Sequence, residues 1–358
     1  MRIAHVSDCY LPRLGGIEVQ VRGTAVEQVA RGHDVMVITA TPGVATADAG
    51  VDVVRLSADL PFETPVHPRG VSLIRDAFHR FQPDVVHVHA GVVSPFAWMG
   101  IHAAKGLPTV VTVHSMWGPV AQRGFAAAMR GHSAFVLTAV SRTAADAISR
   151  ALDEEVLVTP NAIDPTPWRS VDRQHHDGVH IVGTLRFAPR KRVMALLRRL
   201  RDARRWVPGS TPMRATIAGD GPLLAQAQRF VEREHLDWID LPGRVSREAL
   251  AELYARADVF VQPTIRESFG LAALEARAAG LPVIGYAGSG VSEFIADGVN
   301  GLLVQGDAGM SAAIRRLVID VDLRERLGAY NREQPPIHDW DYALRALDAA
   351  YAAAAFRR

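Results

Sequence analysis

The chain has 358 residues, of which 48% are hydrophobic and 22% are charged, and these values predict a globular protein of two domains or one unusually large domain. The balance of 40 Lys and Arg against 38 Asp and Glu gives a net charge of +2, which predicts no nucleic-acid partner. A single cysteine excludes an intrachain disulfide, and the lack of a secretory segment or of an apolar run of ~18 residues predicts a cytoplasmic protein without a transmembrane helix.

The first half of the chain alternates short, valine-rich apolar runs with amphipathic stretches. The runs are typical of buried strands in a largely parallel sheet, and the alternation predicts right-handed crossovers in a doubly wound α/β domain. Ser94 and Pro95 are typical of a helix start, with Ser at the N-cap and Pro at the first helical position. The predicted strands are 2–8, 34–40, 51–56, 84–90, 109–114 and 134–141, and the predicted helices include 17–31, 70–81, 94–105 and 142–151.

Residues 160–178 contain three prolines and little periodicity, which predicts a linker. The alternation resumes after it, so we predict two α/β domains of similar size, one over 1–163 and one over 164–338. The alanine-rich end of the chain, 339–358, predicts a C-terminal helix. The strands predicted in the second domain are 180–185, 213–219, 238–243, 259–264, 282–287 and 301–304.

Glycines follow the first predicted strand and precede a predicted helix. Gly15 and Gly16 would let backbone amides approach an anion at the helix N-terminus, although a plain turn is an equally good interpretation. The segment contains neither GxGxxG nor GxxxxGK[ST], so the sequence supports neither a dinucleotide-dependent dehydrogenase nor a P-loop ATPase.

Basic residues are dense between Arg186 and Arg205, a segment that contains nine Lys or Arg and only one Asp. Such a cluster is most often a solvated helix face. Arg186 and Lys191, however, directly follow a predicted strand. The pair suits a diphosphate, because an arginine can bind two oxygens and a lysine supplies a compact charge.

The segment ESFGLAALE places two glutamates eight residues apart, Glu267 in a predicted loop and Glu275 in the helix that follows. Their carboxylates could accept hydrogen bonds from the vicinal hydroxyls of a sugar, and Phe269, Gly270 and Leu271 would offer backbone amides at the same helix N-terminus. The alternative is one capping and one solvent-facing glutamate.

Histidines occupy two predicted strands of the first domain. His114 ends strand 109–114, where it would be a hydrogen-bond donor to a sugar or phosphate, or a packed core residue. His87 and His89 alternate on one strand face, but the sequence identifies no third ligand, so core packing is favoured for at least one of them and no metal site is predicted.

Eight segments taken in chain order resemble glycosyltransferase family 4, the retaining nucleotide-sugar transferases with the GT-B architecture. The resemblance covers essentially the whole chain, and HSMWG, PNAIDPTPW and RFAPRK are closer to the branch containing the N-acetylglucosaminyltransferase that begins GPI-anchor synthesis. The eight segments are LGGIE, VTVHS, AVSR, PNAID, LRFAPRK, AGDGP, the two spaced glutamates and AGLPVIGYAGSGVSEFIADGVNGLLV.

This resemblance implies two Rossmann-like domains facing a central cleft, with 1–163 on the acceptor side, 164–338 binding the donor and 339–358 crossing back to the N-terminal domain. It implies that the donor diphosphate is bound by Gly16, beside Gly15, and by Arg186 and Lys191. The sequence departs from the family pattern in the second of these loops, where Leu185 and Arg192 stand at positions that are often glycine.

The same resemblance gives the glutamates separate roles. Glu275 would bind the ribose hydroxyls, and Glu267 would bind the hydroxyls of the transferred sugar with help from the amides of residues 269–271. His114 would lie beside the sugar and the leaving phosphate, so that His114 and Glu267 are the predicted catalytic residues. No metal or other cofactor is expected.

The predicted function is retaining transfer of a hexose or N-acetylhexosamine from a nucleotide-diphosphate sugar to a hydroxyl acceptor in cell-envelope glycan biosynthesis. The acceptor would be a glycolipid, a polysaccharide precursor or a small glycoside. Segment 115–132 mixes aromatic and basic residues, which predicts either peripheral contact with the inner face of the membrane or an ordinary core helix. A nucleotide-sugar epimerase and a catalytically silent nucleotide-sugar-binding protein are the alternatives.

Overall fold

A computed structural model describes residues 1–13, 15–43, 48–57, 66–91, 94–116, 124–125, 135–174 and 176–357 of the chain. These residues form two compact units, a first unit of Met1–Ala162 with Trp340–Arg358 and a second unit of Ile163–Asp339. Most of the predicted membrane-contact segment, residues 117–123 and 126–132, lies outside the described residues. Among the helices that are described, none combines the length and hydropathy that crossing a membrane requires.

The described part of the first unit is built on a parallel sheet of seven strands in the order β3-β2-β1-β4-β5-β6-β7. The strand order reverses between β1 and β4, which is where doubly wound sheets bind ligands at their carboxyl ends. The strands are β1 Arg2–Ser7, β2 Asp34–Thr39, β3 Asp52–Arg55, β4 Val85–Ala90, β5 Thr109–Val113, β6 Phe135–Ala139 and β7 Leu157–Val158. The helices between them are α1 Gly16–Ala30, α2 Gly70–Phe81, α3 Pro95–Ala103 and α4 Arg142–Leu152.

The described part of the second unit is built on a parallel sheet of six strands in the order β10-β9-β8-β11-β12-β13. Its order reverses between β8 and β11, so the loops after these two strands flank its ligand-binding edge. The strands are β8 Val179–Thr184, β9 Met213–Ala218, β10 Ile239–Asp240, β11 Val259–Val261, β12 Val283–Tyr286 and β13 Gly301–Val304. The helices are α5 Thr166–Arg169, α6 Val193–Arg204, α7 Leu224–Arg233, α8 Arg247–Ala255, α9 Leu271–Ala278, α10 Gly306–Ile319 and α11 Val321–Glu333.

The prediction of a linker over 160–178 was wrong for its middle, where α5 forms. Proline is tolerated in the first turn of a helix, so Pro165 at the N-cap and Pro167 start this helix instead of breaking it. Trp168 is only 2% exposed and packs its ring 5.6 Å from that of Tyr254 in α8. The segment is therefore anchored to the core of the second unit.

The last helix, α12 Trp340–Phe356, belongs to the first unit. It packs against β1, β4, β5 and β6 of the sheet. Gly23 in α1 faces the Trp340 ring so closely that a β-carbon at position 23 would lie 2.3 Å from it. The shared cluster consists of Ile3, Val85, Val110 and Val136 from the strands and Leu344, Leu347, Ala350, Tyr351 and Ala354 from α12.

Candidate active site

Two neighbouring loops of the second unit carry most of the predicted donor-binding residues. The loop after β8 contains Arg186 and Lys191, and the loop after β11 contains Glu267. Strands β8 and β11 are paired directly, with Val259 opposite Ile181, so the two loops leave the sheet side by side. This is the edge at which the strand order reverses, and it is the favoured ligand position in a doubly wound sheet.

Lys191 and Glu267 form an ion pair at this edge. The Lys191 Nζ donates to Glu267 Oε2 at 2.7 Å, and the Gln262 Nε2 donates to the same oxygen at 3.4 Å. Glu267 is 6% exposed, whereas about a third of the Lys191 side chain is open to solvent. The buried Gln262 Oε1 has no hydrogen-bond partner among the described residues, and a buried polar atom of this kind is typical of a place that a ligand or water completes.

Arg186 lies on the loop after β8 and is exposed. Within the part of the chain that the structure describes, no ion pair or hydrogen bond engages its guanidinium, so its charge is available to an anion. The AGDGP segment holds this loop from behind, because Phe187 N donates to Asp220 O at 2.8 Å. Gly219 has a φ of +139°, and a β-carbon there would lie 1.9 Å from Leu185 O, which explains the glycine.

Arg192 occupies a position where the resemblance led us to expect a glycine. Its φ of +62° is in the left-handed region that glycine favours, so the backbone keeps the conformation despite the side chain. The guanidinium donates to Asp307 at 2.8 and 3.0 Å and to the Tyr286 hydroxyl at 3.0 Å. This departure from the family pattern therefore adds an anchor next to Lys191.

The loop after Glu267 leads into the N-terminus of α9. Gly270 at the N-cap has a φ of +98°, and a β-carbon there would lie 2.9 Å from the Val291 side chain. Gly290 N donates to Glu267 O at 2.7 Å, and the Phe269 ring is buried against Phe294. The backbone is therefore fixed here, and the first amides of α9, beginning with Leu271, have no partner within the helix.

Glu275 lies about one turn into α9 and is half-buried. Burial raises the pKa of its carboxyl to about 7, and the opposing charge of Arg247 lowers it by less. The charge of Glu275 in turn helps to raise the pKa of the buried Tyr254 hydroxyl. At neutral pH the group therefore lies close to its titration midpoint, where a hydrogen-bonding ligand can select either form.

Gly15 and Gly16 lie at the start of α1 in the first unit, where Gly15 is the N-cap. The buried Glu18 in the first turn bends toward them, since a β-carbon on Gly15 would lie 2.5 Å from its Oε2. Glu18 is paired with Arg13 at 3.4 Å. A carboxylate already complements this helix N-terminus and would repel a second anion, so the diphosphate role of Gly15 and Gly16 stays a prediction.

Asp8 follows β1 at the point where the strand order of the first sheet reverses, and the sequence analysis did not single it out. Its carboxylate accepts from Phe96 N at 3.0 Å and from Ala97 N at 3.3 Å, so it caps α3 across the point where the strand order reverses. Burial raises its pKa to about 6. Ser94 is the N-cap residue, as predicted, but its hydroxyl accepts from Gly91 N at 2.6 Å instead of from the helix.

His114 follows β5 and is 9% exposed. Its Nε2 lies 2.9 Å from His89 Nδ1, and His89 Nε2 lies 2.9 Å from His5 Nδ1. Burial lowers the pKa of His114 to about 4 and that of His5 to about 4, so both rings are neutral at pH 7. Sequence reasoning found no third partner for His87 and His89, because His5 comes to them only through the pairing of β1 with β4.

The ligand nitrogens of His5, His87 and His89 all lie within 4.8 Å of one another, as a metal site would require. Every one of these nitrogens is nevertheless within hydrogen-bond distance of a protein atom. His5 reaches Gln28 and His89, His89 also reaches His114, and His87 reaches Tyr351 and Thr112. The donor set is therefore accounted for by hydrogen bonds.

Two family descriptions match successive parts of the chain. The description "Glycosyltransferase Family 4" matches residues 14–167, and "Glycosyl transferases group 1" matches residues 176–334. Together the two matches cover most of the chain, and the second includes the loops after β8 and β11.

Relatives and solved structures agree with these matches. A phosphatidylinositol N-acetylglucosaminyltransferase polypeptide of Homo sapiens is 24% identical over 82% of this chain, which spans only 63% of that relative's length. The GDP-mannose-dependent alpha-mannosyltransferase of Mycolicibacterium smegmatis is 29% identical over 100% of this chain and 99% of its own. The structure of Anabaena Alr3699/HepE with UDP and glucose has a TM-score of 0.76 at 16% identity, over 98% of this chain and 99% of its own. With two parallel α/β units of the GT-B fold, this chain belongs to glycosyltransferase family 4, a family of sugar-transferring enzymes.

Proposed function

We propose that this chain is a retaining glycosyltransferase of cell-envelope glycan synthesis that moves a hexose or N-acetylhexosamine from a nucleotide-diphosphate sugar to a hydroxyl acceptor. The observation that carries the proposal is the ion pair of Lys191 and Glu267 at the ligand-binding edge of the second sheet. Exposed Arg186 lies on the first of the two loops and Glu275 follows the second. Cations suit a diphosphate, and carboxylates suit the hydroxyls of ribose and sugar.

The comparisons support a nucleotide-sugar donor without choosing among bases. The Anabaena structure holds UDP, and the M. smegmatis relative is named for GDP-mannose. The parts that these donors share are a ribose and a diphosphate. We therefore assign Arg186 and Lys191 to the diphosphate and Glu275 to the ribose, and leave the base to experiment.

The chemistry requires stabilisation of a departing diphosphate as the anomeric C–O bond breaks. We assign the stabilisation of that charge to Arg186, the remaining N–H groups of Lys191 and the first amides of α9. These fixed charges perform the task that a divalent cation performs elsewhere, so we propose that the reaction needs no metal.

We propose retention because the resemblance is to a retaining family, and the assignment of Glu267 indicates how retention would be achieved. A carboxylate held at 2.7 Å by a cation is a weak nucleophile and a good acceptor for sugar hydroxyls. We therefore propose that the acceptor hydroxyl attacks the anomeric carbon from the face that the diphosphate leaves. The new C–O bond forms as the bond to the phosphate oxygen breaks, and the hydroxyl proton passes to that phosphate oxygen.

The first test is nucleotide binding in EDTA. The thermal unfolding of wild-type protein would be followed with UDP, GDP, ADP, dTDP and CDP, because a ligand at 100 times its Kd stabilises the folded state by about 2.7 kcal/mol. We expect one nucleotide to raise the Tm, and Glu275→Ala to reduce that rise. Glu252→Gln, an exposed glutamate on α8 in the same unit, is the matched control and should keep it.

The transfer itself is tested next, with the sugar nucleotides of the base that binds. NMR of the product should show the anomeric configuration of the donor, and EDTA should not lower the rate. Failure of every nucleotide to bind would overturn the proposal, and an inverted product would overturn retention. An epimerised donor without acceptor would establish the epimerase instead, and binding without turnover would establish a silent binding protein.

A further inference from the structure

A continuous line of hydrogen bonds runs through the interior of the first unit to His114. Gln28 Oε1 lies 2.7 Å from His5 Nε2, His5 Nδ1 lies 2.9 Å from His89 Nε2, and His89 Nδ1 lies 2.9 Å from His114 Nε2. All four side chains are at most 9% exposed. The line joins α1 to the carboxyl end of β5 through two strands of the sheet.

Each ring in the line is neutral at physiological pH. Burial lowers the pKa of His5 and of His114 to about 4, and burial lowers that of His89 well below its ordinary value. A neutral imidazole has one N–H donor and one acceptor nitrogen. When neutral rings bond in series, the direction of the first hydrogen bond therefore dictates the direction of every other.

Gln28 sets the direction of the first bond. Its carbonyl oxygen faces His5 and can only accept, so the His5 proton must be on Nε2. His5 Nδ1 then accepts from His89 Nε2–H, which leaves His89 Nδ1 to accept from His114 Nε2–H. The orientation of the Gln28 amide is thereby consistent with a proton on Nε2 of His114, although Gln28 does not touch that ring.

The other end of the Gln28 amide is fixed by the C-terminal helix. Gln28 Nε2 donates to the Tyr351 hydroxyl at 2.9 Å, which leaves the hydroxyl proton to be donated to His87 Nδ1 at 2.9 Å. His87 Nε2–H then donates to Thr112 Oγ1 at 2.6 Å. Reversing the Gln28 amide would reverse both arms together, so the network has two possible proton arrangements, and the orientation of Gln28 in the structure matches one of them.

We propose that Gln28 is a positioning residue that holds His114 in its Nε2–H tautomer through His5 and His89. The catalytic meaning of this tautomer rests on the proposed function, but the tautomer itself does not. His114 Nδ1 then carries the lone pair and is a hydrogen-bond acceptor. This differs from the donor role that the sequence suggested.

The test is a long-range ¹H–¹⁵N correlation spectrum of the whole chain labelled with ¹⁵N-histidine, recorded near pH 7.5 without ligand. His114 signals would be assigned by their loss in His114→Gln. In wild type we expect Nε2 to resonate as a protonated nitrogen and Nδ1 as an unprotonated one. Gln28→Leu removes the oxygen that fixes the His5 proton on Nε2. The Nδ1 and Nε2 resonances of His114 should therefore move toward each other, as both tautomers become populated.

Gln20→Leu is the matched control. Gln20 is buried on the same helix, two turns before Gln28, and its amide bonds the backbone of Ala162 in both directions at 2.7 and 2.9 Å. The substitution removes an equally buried amide without touching the histidines. The His114 spectrum of this variant should match that of wild type.

A wild-type His114 protonated on Nδ1 would overturn the inference, and so would an unchanged His114 pattern in a folded Gln28→Leu protein. If that variant fails to fold, Tyr351→Phe tests the same prediction, because it removes the hydroxyl that orients the Gln28 amide. The same change in the His114 resonances is then expected. The spectra need no ligand and no turnover. A failure of nucleotide binding would therefore leave this result standing, and the reverse also holds.

Discussion

The Lys191 ammonium donates to the Glu267 carboxylate at 2.7 Å, which makes direct partners of two groups that are assigned to different parts of a donor. The ion pair keeps the buried carboxylate from being left without a counter-charge. It also places the group that we assign to the sugar next to the group that we assign to the phosphate. Lys191 has three N–H donors, so it can hold Glu267 and still donate to a phosphate oxygen.

The ion pair makes Lys191→Met a diagnostic variant. We expect kcat/KM for transfer to fall about 10²- to 10³-fold, because the cation that we propose for the leaving group is lost. The free energy of unfolding should fall by about 1–3 kcal/mol, since Glu267 then loses its charged partner. The double variant Lys191→Met/Glu267→Gln should recover part of that stability and none of the activity.

The control for Lys191→Met is Lys105→Met, because Lys105 is the other of only two lysines in the chain and is exposed in the first unit. Steady-state kinetics and urea unfolding of the four proteins complete the comparison. Equal stability of Lys191→Met and Lys105→Met would contradict the ion pair.

Arg192 gives a prediction about the backbone beside Lys191. Both Arg192→Ala and Arg192→Gly lose the bonds to Asp307 and Tyr286, but only glycine adopts a φ of +62° without strain. Arg192→Gly should therefore be more stable to urea than Arg192→Ala by about 1 kcal/mol. If the two variants were equally stable, or the alanine variant more so, the left-handed conformation at this position would be refuted.

Gly270→Ala should disrupt the N-terminus of α9. The substitution combines a positive φ with a β-carbon 2.9 Å from the Val291 side chain. Gly298→Ala is the matched control, because Gly298 has a φ of +73° and open space around its β-carbon position. Gly270→Ala should lower the unfolding free energy more than Gly298→Ala and should alone weaken nucleotide binding, as measured by calorimetry.

Glu275 should make stability depend on pH in a stated direction. Its pKa is raised from 4.5 to about 7 in the folded protein, so between these values the folded state keeps a proton that the unfolded chain has lost. Its contribution to stability therefore falls as pH rises through this range, by on the order of 3 kcal/mol.

Glu275→Gln should remove that decline, so that the variant gains stability relative to wild type between pH 5 and pH 8 in urea unfolding. Glu252→Gln changes an exposed glutamate and should show the wild-type slope. Parallel curves for Glu275→Gln and wild type would show that Glu275 titrates normally.

Local patterns in the sequence predicted the helices and strands well where Gly, Pro or Asp residues lie at their ends. The predicted helix 70–81 coincides with α2, and predicted strand 34–40 differs from β2 by one residue. Strand 238–243 was predicted too long, since β10 covers only Ile239–Asp240. Its apolar pattern is that of a strand, but only two of its residues pair with β9.

The sequence indicated which types of residue the candidate site contains, but not which of these residues are in contact. The spacing of the basic and acidic residues indicated a donor site, yet Lys191 and Glu267 meet across 76 residues because β8 lies beside β11. The order of strands is a property of the whole sheet. Asp8 and His5 were missed for the same reason, since their partners reach them only through the pairing of β1 with β4.

Tyr351 also has a consequence for the order in which the protein is made. The helix that carries it completes the core under β1, β4, β5 and β6, but it follows the entire second unit along the chain. During synthesis, the face of the first sheet that α12 covers therefore stays uncovered until the second unit has been made. The Tyr351 hydroxyl, which contacts both Gln28 and His87, is therefore the last part of the histidine network to be synthesised.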